Sequence, residues 1–536
     1  MNRSKRTALP FRRISLLLTL LLLAGCAASQ GESEPPQNDV VLKLMLPGSA
    51  SGLDRVLAEL YGQMDPEHRW RIEITWADAD NYVHQLDSSL TAHEDYDLVF
   101  DAQWLSLSTQ ASQRKYKNLK AYFNDPDHPG LQTAFPQEYL DANRFNGELY
   151  AIPLTNAYYD IPGFFYRKDL LDRLDLPFDE IKSYDEMARY WDAVEQSGIC
   201  KPVTLGSRGF YEFNMCDITL RKAGIWDITG WSFWSYPAKA VLSEDRTAVL
   251  DVVFPGDDPD RFSDFPEPYR TNFLDEMFLK NAACAKWLSE EDLLQSDGTP
   301  QFVQGLSASY ENSLGNGGSH KVEQLLKEHV PEGEVAFWAY DPAFGPDFRS
   351  DGILTNFLAW NYLCVPSYSD DPDEAMAFLD WLYSDWDRID LFNYGVEGVD
   401  WQAIGDGEYA LLNNPEGSFM FPAYELAWNP QHHRIDVALS ESEKELMEYM
   451  FSPDSYAASP LAGYTIDTRP IGIEIASLNA LYAEYYTGFV HGAYGDDTAE
   501  KIAEFHAKSL EAGLEAVRSE LVSQMQRYLD KKDGNS

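Results

Sequence analysis

Basic residues are scarce in this chain of 536 residues: 42 Lys+Arg stand against 87 Asp+Glu, a formal net charge of −45. Nucleic-acid affinity rests on neutralising phosphates with Lys and Arg, so a DNA or RNA partner is excluded. Cysteine is equally sparse, at five, and no pair has the Cys-x-x-Cys spacing of a structural zinc site. No stretch reaches the 18 or so apolar residues of a bilayer-spanning helix. Interior repeats and low-complexity tracts are absent. Gly315-Asn316-Gly317-Gly318 lacks the Lys-Ser/Thr of a phosphate loop, and Gly206-Ser207-Arg208-Gly209 is not a nucleophile elbow. Asp78-x-Asp80-Asn81 and Asp257–Asp264 lack the Gly and distal Glu of a calcium loop, and His432-His433 with Asp436 makes a poor metal set. Nothing in the sequence requires a cofactor or metal. Among so many carboxylates, no positional signal selects a glycosidase pair.

What the chain does have is core-forming material, with 44% apolar and 14% aromatic residues, which excludes a disordered acidic chain. Residues 1–26 hold five bases and no acid, and their removal takes the net charge to −50. The bases precede Ile14–Ala24 (ISLLLTLLLLA), an apolar run too short to span and suited to a secretory signal. The run ends in Leu23-Ala24-Gly25-Cys26, which resembles a bacterial lipobox. That resemblance implies cleavage before Cys26 and acylation of its thiol, with two or more chains giving a stable membrane anchor. Residues 1–25 are thus expected to be a lipoprotein signal and 26–39 a disordered tether, small, polar and Pro-containing. The remainder is expected on the extracytoplasmic face of the cell membrane. Of the remaining cysteines, Cys200 and Cys216 could form a local staple, or all four could be buried thiols.

Val40–Leu46 (VVLKLML), Trp70–Trp76 (WRIEITW) and Tyr96–Phe100 (YDLVF) read as strands. Leu53–Met64 and Tyr82–Leu90 between them carry helical spacing. Strand–helix–strand order argues for a parallel sheet with helices on both faces, and ligands of such sheets lie beyond the carboxyl ends of the strands. Gly48–Ser49, Ala77–Asp80 and Asp101–Trp104 are therefore expected at the mouth of a cleft.

Five segments, in order, carry a resemblance. Gly147–Leu176 (GELYAIPLTNAYYDIPGFFYRKDLLDRLDL), Phe302–Ala308 and Tyr362–Tyr383 (YLCVPSYSDDPDEAMAFLDWLY) are similar to family-1 extracellular solute-binding proteins. Asp390–Trp401 and Tyr464–Glu484 resemble a LipO-like subgroup of long bacterial lipoproteins with an extra C-terminal domain. Leu306–Tyr310 departs from the family pattern by lacking its usual Lys and Met. The resemblance implies an α/β, two-lobed periplasmic-binding-protein-like fold (type II), each lobe a mixed, mostly parallel sheet covered by helices. Lobe 1 would take 40–153 with part of 335–384, lobe 2 would take 154–334 with part of 385–536, and 390–536 would be a C-terminal helical region. It further implies a non-enzymatic monomer that captures a solute, usually a carbohydrate, and passes it to the permease subunits of an ABC importer. A non-sugar solute such as a peptide, or a polysaccharide-degrading enzyme, are the competing readings.

A sugar site needs aromatic platforms for C–H faces and short polar side chains for hydroxyls. Trp104, Tyr158, Tyr159, Trp360 and Trp401 are the candidate platforms, each at or near a matched segment. Asp101, Asn156, Asp160, Glu212, Asn312 and Asn361 are the candidate polar partners. Trp226, Trp231 and Trp234 either line the second lobe or fill its core.

Overall fold

The computed structural model describes residues 39–534 apart from 67, 146, 157–159, 222–224, 228–235, 266–269, 295–296, 346–347, 351, 406, 415–416 and 465. The signal, Cys26, Tyr158, Tyr159, Trp231 and Trp234 lie outside the described residues.

Eight strands frame the two lobes: β1 (Asp39–Pro47), β2 (Arg69–Ala77), β3 (Leu98–Ala102), β4 (Ile152–Asn156), β5 (Pro162–Arg167), β6 (Ser309–Ser313), β7 (Val335–Ala339) and β8 (Ala359–Cys364). The first-lobe sheet has the order β2-β1-β3-β8-β4. β1 runs parallel to β2 and β3, whereas β8 is antiparallel to β3 and β4. β1 and β3 are apolar because both faces of the sheet are covered, and Leu42, Leu44, Leu46, Leu98 and Phe100 are all fully buried. Helix Pro372–Tyr383 covers one face: Pro at its first turn fixes φ, Asp373 and Glu374 face the positive helix end, and Ala375, Met376, Phe378, Leu379 and Leu382 form its buried stripe.

In the second lobe β5 pairs antiparallel with both β6 and β7. The expected mostly parallel sheet is not found there. The strand entering from β4 is met by returning segments on both sides, and among the described residues of this lobe parallel pairing is limited to the bridges Lys201–Ser307 and Thr204–Tyr310 and the short pair Ile353–Thr355 with Tyr456–Ala458.

Residues of the 386–427 stretch (Ile389, Phe392, Phe421, Leu426) join the first-lobe core. Helix Glu441–Phe451 packs on the second-lobe sheet through Leu446 and Met450. The chain therefore passes from lobe to lobe between the end of β4 at Asn156 and the start of β5 at Pro162, between β7 and β8, and near 440. The region 390–536 is not wholly helical, since it contains strands Trp401–Ile404, Glu408–Leu411, Ile435–Asp436 and Tyr456–Ala458. Three closing helices, Gly472–Val490, Thr498–Glu511 and Leu514–Asp533, share one core with helix Phe273–Cys284 and hairpin residues Val241, Val252 and Phe254. Phe278 stacks on Phe489 at 4.3 Å between ring centroids. Buried Arg518 fixes the same junction, donating to Asp257 at 2.5 Å with its guanidinium 4.6 Å from the Phe254 ring. Among the described residues no disulfide links the cysteines, and burial raises the thiol pKa of Cys200 and Cys284 to about 11.

Candidate functional site

Two adjoining cavities, of about 850 and 680 Å³, lie between the lobes and share Trp104 and Tyr424 on their walls. The first cavity opens at the carboxyl ends of β1–β3, lined there by Gly48, Ser49, Ala79 and Phe100. β1 can end abruptly because Gly48 takes φ 84°, and its N–H donates to Ala77 O at 2.9 Å. The opposite wall comes from 393–425, with Tyr394, Tyr409, Phe419 and Met420. The second cavity carries a cluster of polar side chains: Asp160, Arg208, Glu311, Asn312 and Ser313 from the second lobe face Trp360 and Asn361 from the first.

Trp104 is 51% exposed and Tyr424 46% exposed, and both rings lie on the walls of both cavities. The Trp104 indole N–H donates to Asn361 Oδ1 at 3.2 Å, which fixes the ring across the junction of the cavities. Asp101 sits one layer behind. Its carboxylate is fully buried and accepts from Tyr116 OH at 2.6 Å, Ala102 N at 2.8 Å and Ser106 N at 3.1 Å. Burial pushes its pKa up to about 6, against the lowering effect of those donors. With its oxygens committed in this way, Asp101 shapes the loop carrying Trp104 and does not face the cavity.

Asp160 accepts from the Ser313 hydroxyl, and burial, then the Glu212 charge, pushes its pKa up to about 7. Glu311 accepts from Tyr340 OH at 2.5 Å and is shifted upward by burial and by Glu212. Glu212, on helix Tyr211–Arg221, forms an ion pair with Arg208 and so stands behind the cavity wall. Asn312 lines the second cavity, opposite Gly163 in the sheet register. Asn156 closes β4 beside Ala359 in the register.

Trp401 is corrected from platform to core. It is 3% exposed, its indole N–H donates to Gly395 O at 2.9 Å, and Arg434 covers its ring at 5.0 Å. It supports Tyr394 from behind, at 5.5 Å between ring centroids. His432 stacks on Trp386 and meets Asp390 at 2.6 Å, while His320 lies 3.5 Å from Asp436.

Sequence reasoning missed Tyr424, Met420, Phe419 and Glu425. The signal was available in Phe419–Glu425 (FMFPAYE), an aromatic-rich run broken by Pro. Such density on a segment too irregular for a strand marks a loop that lines something. Glu425 is 2% exposed, and its Oε2 has no hydrogen-bond partner. Burial pushes its pKa up to about 9.

Two α/β lobes joined by repeated crossovers around a cleft make this a type II periplasmic-binding-protein fold. Comparison with known proteins agrees. A carbohydrate ABC transporter substrate-binding protein of Streptococcus pneumoniae serotype 4 is 19% identical over 544 residues, covering 97% of this chain and 98% of that protein. The crystal structure of the N-glycan transport solute binding protein NgtS from Streptococcus pneumoniae superposes with a TM-score of 0.65 at 16% identity, over 92% of this chain and 98% of that one. NgtS in complex with Man5GlcNAc gives 0.58 at 17% identity, over 92% and 99% of the two chains. The alginate-binding protein AlgQ2, in a form without calcium ion, gives 0.57 at 14% identity, over 92% and 98%. Residues 460–530 match a family described as a domain of unknown function, DUF3502. No described helix is long and apolar enough to cross a membrane.

Proposed function

We propose that this protein is a membrane-anchored extracytoplasmic solute-binding protein that captures a carbohydrate between its lobes and hands it to an ABC importer. The observation carrying this reading is the Trp104–Tyr424 pair: two half-exposed rings, with Asn361 beside Trp104, over a cleft whose other wall carries Asp160, Glu311 and Asn312. Rings stack on the apolar faces of sugars, while carboxyl and amide groups take their hydroxyls in pairs. The relatives named for carbohydrate transport support the same reading. Trp360 belongs to the proposed site by its place on the wall of the second cavity, while Asn156, Tyr158 and Tyr159 are assigned to it from the resemblance of Gly147–Leu176 to family-1 solute-binding proteins.

Function of this kind is binding without turnover. A ligand that touches both lobes favours the closed arrangement by its extra contacts there, and the importer's permease subunits read that state. The protein acts as a monomer, tethered through residues 26–39 and acylated Cys26. Titrating tryptophan fluorescence with neutral oligosaccharides and with peptides tests the ligand class. Saturable quenching by an oligosaccharide, with no release of reducing ends, is the expected outcome. Saturation by peptides alone, or sugar hydrolysis, overturns it. For the anchor, Cys26→Ala should move the protein from the detergent phase to the aqueous phase, and unchanged partitioning overturns acylation.

A further inference from the structure

The turn Gly206–Gly209 forms part of the wall of the second cavity. Gly206, Ser207 and Arg208 line that cavity, and the latter two are exposed. The turn closes on itself where Gly209 N–H donates to Gly206 O at 3.1 Å. Behind it stands the end of helix Gly472–Val490, inside the 460–530 domain of unknown function. Phe210 N–H donates to Val490 O at 2.8 Å, and His491 Nε2 lies 3.1 Å from Gly206 O. A carbonyl only accepts, so Nε2 carries the hydrogen. Burial lowers the His491 pKa, which favours the neutral ring. Gly209 takes φ 56°, and a Cβ there would lie 2.3 Å from Val490 O, so glycine is what lets the two backbones meet.

The helix end is itself held in place. Asn281, fully buried on helix Phe273–Cys284, donates to Phe489 O at 3.0 Å and accepts from Asn214 Nδ2 at 2.8 Å. Asn214 lies on helix Tyr211–Arg221, which follows the turn and carries Glu212, the ion-pair partner of Arg208. Buried hydrogen bonds therefore tie the C-terminal helix to the segments on either side of Arg208.

On the carbohydrate reading above, we infer that the C-terminal domain braces the binding site and that His491 is a positioning residue for Arg208 on the cavity wall. The Arg208 side chain is 48% exposed, and its guanidinium offers N–H donors to the hydroxyls of a solute in the cavity. An exposed turn left to drift would have to be ordered each time a solute bound, which weakens binding. His491 and Val490 hold the turn from behind, so Arg208 meets the solute already placed.

The test combines amide hydrogen exchange of the full mature chain with calorimetry on β-1,4-mannotriose, cellotriose and maltotriose. His491→Leu keeps an apolar body and has no donor. Exchange at Arg208–Phe210 should speed up at least fivefold, and affinity for whichever sugar binds should fall at least fivefold. His491→Gln places an amide donor near the position of Nε2 and should restore both to within twofold. In an Arg208→Ala background, itself at least fivefold weaker, His491→Leu should cost less than a further twofold, because the two residues act as one unit. The wild-type chain gives a reading that does not depend on how His491→Leu folds. Bound sugar should slow exchange at Val490 and His491 as well as at Phe210, since coupling between two places is reciprocal. Additive losses in the cycle, normal affinity in His491→Leu or Arg208→Ala, or no slowing at Val490 and His491 overturn the brace and leave the carbohydrate reading in place. If the wild-type chain binds none of the three sugars, the carbohydrate reading falls and the brace with it.

Discussion

The indole N–H of Trp104, on the loop after β3, donates to the side-chain oxygen of Asn361 on β8 at 3.2 Å. The two residues are 257 positions apart in sequence, and β3 and β8 bring them together by antiparallel pairing, with Asn361 opposite Ala102. The bond holds an exposed ring at one angle where free rotation would spend entropy on binding.

Trp104→Ala and Tyr424→Ala should each weaken oligosaccharide binding at least tenfold, about 1.4 kcal/mol or more. Because both rings are about half exposed, the melting temperature should change by little. Calorimetry beside thermal unfolding checks both halves. A large loss of stability with normal binding would make the rings structural.

Trp401→Ala should behave in the opposite way. Removing a ring at 3% exposure leaves a cavity costing about 3–5 kcal/mol. Affinity in the folded fraction should fall only as far as Tyr394 shifts. Denaturant unfolding read by circular dichroism supplies the measurement.

Asp101→Ala removes the acceptor of Tyr116 OH, Ala102 N and Ser106 N. Buried donors left unsatisfied cost about 1–3 kcal/mol each, so this variant should lose stability, and the Trp104 loop should loosen. Hydrogen exchange of residues 102–106 should speed up, and sugar affinity should fall with it.

Burial holds the carboxyls of Asp101, Asp160, Asp275 and Glu425 above their ordinary values, to about 6, 7, 7 and 9. A raised acid binds more protons folded than unfolded between its unfolded and folded pKa. Stability is therefore lost as pH rises through that window, from about 4 upward. The protein should melt at a higher temperature at pH 5 than at pH 8, with a gain in stability of about 2 kcal/mol or more. A flat or reversed profile between those values contradicts the assignment. Glu425→Gln should remove part of the slope.

Deleting residues 460–536 should not leave a folded two-lobed protein. The closing helices supply Ile475, Phe489, Phe505 and Leu521 to a core shared with Phe254 and Phe278. Arg518→Ala should be strongly destabilising on its own, by about 3–5 kcal/mol, because Asp257 is left buried and unpaired. Solubility and near-ultraviolet circular dichroism distinguish the outcomes.

Local pattern settled a good deal. The alternation of Trp70–Trp76, the apolar run of Val40–Leu46 and the helical spacing of Leu53–Met64 and Tyr82–Leu90 correspond to strands and helices at Asp39–Pro47, Leu53–Gly62, Arg69–Ala77 and Tyr82–Ala92. Such signals are legible because burial of one face repeats at the period of the element itself. The rule that ligands gather at strand carboxyl ends also placed Gly48, Ser49 and Trp104 on the cavity wall. Sequence could not say which of two tryptophans near matched segments would face solvent. Trp104 lines both cavities and Trp401 lies beneath Tyr394. Nor could it show that Asp101, at the end of a buried strand, turns inward to Tyr116, or that Tyr424, far along the chain, completes the wall opposite Asp160. Those outcomes depend on contacts between residues hundreds of positions apart. Only the pairing of β3 with β8 and the return of residues 393–425 to the first lobe decide them, because a side chain's exposure is set by what packs over it.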